Sequence, residues 1–154
     1  MSTLLVALTV ATAIASAAVG GVFFAFSTFV MPALRRLPAA QGIAAMQSIN
    51  VTAVKPPLML LMFGTALACV ALIVVAVVDW SPWLLAGALV YLVGEIVVTI
   101  AYNVPRNNEI AAMDPASEDA AARWPAWERE WTAGNHVRTV AGVAAAALLL
   151  QATL

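Results

Sequence analysis

The chain has 154 residues, 64 % hydrophobic and only 10 % charged, with a formal net charge of −1 and a mean hydropathy of +0.96. A water-soluble domain could not cover its surface with so few polar groups, and the near-neutral charge offers no nucleic-acid footprint. The expectation is one all-α integral membrane domain spanning residues 1–154, a four-helix bundle without a linker to a second unit.

Four apolar stretches run from about Thr3 to Leu34, Pro56 to Val78, Pro82 to Tyr102 and Val137 to Leu154. A spanning helix needs roughly 20 such residues. The predicted spans are therefore about 3–31, 56–78, 82–102 and 136–154. All seven Lys/Arg residues lie in two segments, Arg35, Arg36 and Lys55 in one and Arg106, Arg123, Arg129 and Arg138 in or at the edge of the other. Two crossings separate the segments, so both lie on one side. The positive-inside rule makes that side cytoplasmic and both termini external, as in a multi-pass protein of the cell membrane.

In the first span, Ala15-Ser16-Ala17 has the small residues of a signal-cleavage site, but no charged region precedes it and the apolar run continues through Phe29. It reads as an uncleaved helix ending near Met31-Pro32. Gly20, Phe24, Ser27 and Met31 share a face, with Phe23 and Phe26 beside it, a pattern that serves close helix packing or the aromatic wall of a pocket. Pro38 opens a short amphipathic helix to about Val54, with Ile43, Met46, Ile49 and Ala53 at helical spacing. Lys55-Pro56-Pro57 starts the second span. Its Cys69, the only cysteine, has no intramolecular disulfide partner and reads as a packing residue. Asp79 to Trp83 is a tight external hairpin with two interfacial tryptophans.

The third span carries Glu95 about twelve residues in, where a central acid costs roughly 2.5–3.5 kcal/mol by insertion scales. At helical spacing Glu95, Thr99, Tyr102 and Arg106 would form a polar stripe leading to the cytoplasmic surface. Glu95 is either a proton acceptor or ligand contact in a cavity, or a carboxyl paired with a neighbouring arginine or held protonated. Pro105 is expected to disrupt this helix, with Asn103 and Asn107 capping freed carbonyls. Asn103 to Asn135 is the one long polar stretch. In it Asp114-Pro115 reads as an N-cap, and Trp124-Pro125 as the start of a helix that continues into the fourth span. There Trp127, Trp131, Asn135, Arg138 and Gly142 fall on one face, with His136 to the side. Arg138 needs an anion. His136 is a general-base candidate or a hydrogen-bonded interfacial residue.

No HxxxH, ExxH or CxxC pair supports a metal centre, although haem on His136 alone stays open. No nucleophile elbow, phosphate loop or dinucleotide fingerprint is present.

Three stretches taken together, Gly21-Val22-Phe23-Phe24-Ala25-Phe26-Ser27-Thr28-Phe29-Val30-Met31-Pro32, Met46-Gln47-Ser48-Ile49-Asn50, and Asn103-Val104-Pro105-Arg106-Asn107 with Trp131 and Asn135-His136-Val137-Arg138-Thr139, resemble the anthrone oxygenase-like four-helix membrane family. The resemblance implies oxidation of an anthrone to an anthraquinone with molecular oxygen as co-substrate. An anthrone has an acidic CH₂ whose conjugate base reacts with O₂ directly. A base, an anion stabiliser and a dry, flat pocket then suffice, without metal or flavin. On that reading His136 or Glu95 is the base, Arg138 with Asn135 or Asn50 holds the oxyanion, and Phe23 and Phe24 clasp the rings. Ser27, Asn103, Asn107 and Trp131 complete the binding set. A lipophilic small molecule, the bilayer and a second copy of the chain are the expected partners. The competing readings are a non-catalytic binding or assembly subunit and a small proton-coupled transporter.

Overall fold

Why these residues form these helices is mostly a matter of hydropathy and caps. The computed structural model describes residues 1–154 as five helices: α1 (Thr3–Arg35), α2 (Ala39–Ala53), α3 (Pro56–Val78), α4 (Pro82–Ala111) and α5 (Glu118–Gln151). All but α2 are long and apolar enough to cross a membrane, and the chain is an all-α, multi-pass four-helix membrane bundle. The Ser2 hydroxyl accepts from the Leu5 N–H to cap α1, and proline occupies the first turn of α3 and of α4, where its missing N–H costs nothing. The hairpin between them turns at Trp80, whose φ of 34° is the only positive φ of the chain. α5 begins earlier than the sequence suggests. Ser117 caps it by accepting from the Ala120 N–H, ahead of the first-turn acids Glu118 and Asp119. Asp114 is instead a turn residue, its carboxylate accepting from the Ala116 N–H. At 34 residues α5 extends about 50 Å, well past the hydrocarbon core.

Two helices outrun their expected ends. α1 continues through Pro32 to Arg35, and α4 through Pro105 to Ala111. In each case a π-turn comes immediately before the proline, over Phe26–Val30 in α1 and over Thr99–Asn103 in α4. The last N–H before each proline reaches five residues back, Met31 to the Phe26 carbonyl and Val104 to the Thr99 carbonyl. Widening the turn accommodates the ring that would otherwise break the helix. A further π-turn over Leu92–Val97 holds Glu95.

Each long helix packs against its chain neighbours, and α5 returns to lie along α1. Small residues make that return close. A Cβ on Gly142 would stand 2.7 Å from the Gly20 Cα, and the Ser16 hydroxyl donates to the Gly142 carbonyl at 2.9 Å. α3 meets α4 mainly over Pro82–Val97 and diverges from it beyond.

The interior has three layers. The half of the bundle away from the basic segments is apolar, with Leu72, Leu84, Tyr91 and Leu149 fully buried. The basic end has a second apolar core in which α2 closes the bundle, burying Ile43 and Met46 against Met31, Ile110 and the tryptophans of α5. α2 thus packs as a lid, more deeply than a helix lying along a membrane surface. Trp124, Trp127 and Trp131 stack in succession, with ring centroids 5.5 and 6.3 Å apart. Arg35 makes a two-pronged ion pair with Glu128, whose side chain is 1 % exposed. Between the two cores lies a layer of polar side chains.

Candidate functional site

That layer is assembled by spacing. Along α4, Glu95, Thr99, Asn103 and Asn107 recur every four residues, a spacing that the π-turns place on one face. Tyr102 and Arg106, expected on the same stripe, lie elsewhere: the Tyr102 ring packs on Gly134, and Arg106 stacks over Tyr102 and pairs with Glu130 at 3.4 Å. On α5, Trp131, Asn135 and Arg138 are all buried and face the bundle axis.

Arg138 is the centre of the site. It is 4 % exposed, and its guanidinium carbon sits 3.9 Å from the centroid of the Phe23 ring and 5.2 Å from that of Trp131. One terminal nitrogen donates to the Asn135 amide oxygen at 2.7 Å, the other to the Thr99 hydroxyl at 3.4 Å. Asn135 is itself fixed to α1, donating to the Phe23 carbonyl at 2.6 Å and to the Ser27 hydroxyl at 2.8 Å. Ser27 also bonds the Thr139 hydroxyl. Asn103 donates to the Trp131 carbonyl, and the Trp131 indole donates to the Asn107 amide oxygen at 2.7 Å. The arginine and its neighbours are therefore held from three helices, as a preorganised anion-binding group requires.

A cavity of about 170 Å³ opens beside this network. Every helix contributes to its wall: Val22, Phe23 and Phe26 from α1, Met46, Ile49 and Asn50 from α2, Met59, Met62 and Phe63 from α3, Thr99, Ile100, Val104 and Asn107 from α4, Trp131 and Arg138 from α5. It is an apolar space with polar groups gathered at Arg138, Thr99, Asn107 and Asn50, the usual construction of a small-molecule site.

The structure brings together most of the residues singled out by sequence. Arg138, Phe23, Trp131, Asn50 and Asn107 line the cavity, and Ser27, Asn103 and Asn135 stand behind it in hydrogen-bond contact with the lining or its supports. Three candidates fall outside. His136 is exposed and makes no side-chain hydrogen bond, because two positions along a helix turn it about 200° from Arg138. Phe24 is 55 % exposed on the outer face of α1. Glu95 is completely buried, so it faces the interior and not lipid. Yet it packs against Gly142 and does not line the cavity. Neither of its oxygens has a protein hydrogen-bond partner, and no ion pair joins it to Arg138. Thr99 was legible only as a stripe residue, and the α3 wall of Met59, Met62 and Phe63 carried no signal beyond hydropathy.

The family model described as anthrone oxygenase matches residues 56–148. The chain belongs to the anthrone oxygenase family. The match spans α3, α4 and most of α5, and so includes Arg138, Asn135, Thr99 and Asn107. The α1 and α2 sides of the cavity lie outside it. No curated protein and no solved structure matches the chain. Membership in this family suggests an oxygenase role.

Proposed function

We propose that this protein is a membrane oxidoreductase that binds a planar, lipophilic anthrone-like compound in the cavity and oxidises it with O₂, without a cofactor. The observation that carries the reading is the Arg138 guanidinium, buried between Phe23 and Trp131 at the wall of an otherwise apolar cavity. A flat aromatic ring fits between Phe26, Met59, Met62 and Trp131, and its oxygen points to Arg138, with Asn107 and Asn50 as further partners. In that position the guanidinium stabilises the conjugate base of the substrate, and low polarity around it strengthens the effect. The anion donates electrons to O₂. Overall the methylene loses two hydrogens and gains one oxygen atom as a carbonyl, and the second oxygen atom leaves as water. No imidazole or carboxylate lines the cavity, so the substrate's proton passes to water while Arg138 stabilises the anion left behind.

The same absence favours a second reading, a binding protein that sequesters such a compound without turning it over. Transport is less well supported, because Leu72, Leu84, Tyr91 and Leu149 fill the outer half of the bundle. Oxygen uptake decides between the first two. Purified protein in lipid nanodiscs, given an anthrone, should consume O₂ above the spontaneous rate, and Arg138→Met should abolish the excess. Tight binding with no excess uptake would establish the binder instead.

A further inference from the structure

The cavity has an opening, and its position says where the ligand comes from. Four of its lining residues are also on the molecular surface: Val54 at 67 %, Phe63 at 47 %, Ile100 at 57 % and Val104 at 38 % exposed. All four are apolar. Phe63 belongs to α3 and Ile100 and Val104 to α4, the pair of helices that separate past Val97. Phe63 is seven residues beyond Pro56, about 10 Å along the spanning helix from its basic end. The gap therefore opens sideways, at the depth of the inner leaflet. Towards water the same cavity is covered by α2, whose Ile43 and Met46 are fully buried on the tryptophan stack. Towards the outer face it is blocked by the apolar core.

We infer that the α3–α4 gap is a lateral portal through which the substrate passes between the inner leaflet and the Arg138 cavity. The inference rests on the cavity being the binding site for a lipophilic aromatic compound. A molecule dissolved in acyl chains meets an apolar rim with no polar group to desolvate, and encounters its only charge at Arg138 on the inner wall. The bilayer concentrates such a compound and orients its apolar rings toward the rim. Loading from water would instead require α2 to lift and expose its buried face.

The test uses the full chain in phosphatidylcholine nanodiscs with a fluorescent dihydroxyanthraquinone as probe. Affinity is measured by titration and the release rate by chase with excess non-fluorescent anthraquinone. Ile100→Trp and Val104→Trp narrow the portal at positions already exposed, and Thr52→Trp stands on the neighbouring groove formed with Phe26, Ser48 and Leu58. Each portal variant should slow release at least tenfold, and Thr52→Trp should match wild type. Release from both portal variants at the wild-type rate overturns the proposal. So does slowing confined to Thr52→Trp, or loss of binding in both portal variants, which would make these side chains contacts of the bound ligand. A wild-type protein that does not bind the probe removes the reading of the cavity itself, and the portal with it.

Discussion

The guanidinium carbon of Arg138 lies 3.9 Å from the centre of the Phe23 ring, so the one buried cation of the bundle rests on an aromatic face contributed by the helix beside it. This contact accounts for how a charge persists at membrane depth without a salt bridge. The ring quadrupole, the Asn135 amide oxygen and the Thr99 hydroxyl each contribute to that stabilisation. It also leaves the positive charge available to a ligand.

Arg138→Lys is accordingly not conservative. A lysine has no planar group to stack between Phe23 and Trp131, and its single nitrogen does not reproduce the two-nitrogen fork that meets Asn135 and Thr99. We expect at least a tenfold loss of oxygen uptake with an anthrone, with the helical circular-dichroism signal retained. Wild-type rates in the lysine variant would show that charge alone suffices.

Asn135 ties α5 to α1 and steadies the arginine. Asn135→Ala leaves the buried Phe23 carbonyl and the Ser27 hydroxyl without this donor. The cost should be about 1–3 kcal/mol, read by unfolding in detergent, together with weaker ligand binding. Ser27→Ala, which removes one of these contacts, should cost less.

Glu95→Gln should alter stability by less than about 1 kcal/mol, since the carboxyl oxygens have no protein hydrogen bonds to lose. Gly142→Ala at the same crossing should be costly, about 1–3 kcal/mol, because the added carbon meets the Gly20 backbone and Glu95. Gly21→Ala, with open space around it, is the control. Thermal midpoints of the three variants decide the matter.

At the basic end, Arg123 bonds both Glu109 and Glu130. The Arg123 hydrogen bonds hold the Glu130 carboxyl below its ordinary value of 4.5, and Arg106 adds to the effect. A depressed carboxylate contributes stability that is fully present above the unfolded value and is lost as pH falls through the folded one. Wild type should therefore exceed Glu130→Gln in stability at neutral pH, and the difference should shrink below pH 4.5. A difference that persists in strong acid would assign it to packing.

The cofactor-free proposal predicts that extended chelation leaves oxygen uptake unchanged and that the purified protein has no visible absorption band. Loss of activity on chelation, restored by one metal, would replace it.

Much of this arrangement is written in hydropathy, and that part was legible. The four spans, the Asp79–Trp83 hairpin, the short helix after Pro38 and the gathering of polar residues at one end follow from where apolar runs start and stop. The facing of individual side chains was harder. His136 and Arg138 are two residues apart and cannot both look inward from one helix, and the histidine takes the exposed side. In α4 the expected stripe assumed uniform periodicity, whereas the π-turns around Glu95 and Thr99 shift it to Asn103 and Asn107. Nothing in composition marks such turns except the prolines that follow two of them. The cavity wall on α3 was invisible because Met59, Met62 and Phe63 read the same whether they pack on protein or on a ligand.

Those widened turns also bear on how the molecule is compared with its kin. Each absorbs surplus backbone within a continuous helix, setting the helical phase on its two sides out of step. Removing one residue from Phe26–Val30 would restore the ordinary period and rotate one side of α1 against the other by roughly 100°. The Phe23 face and the Met31 face could not then both meet their present neighbours. An alignment with a relative that lacks either turn must therefore open its gap inside a membrane helix, not in a loop.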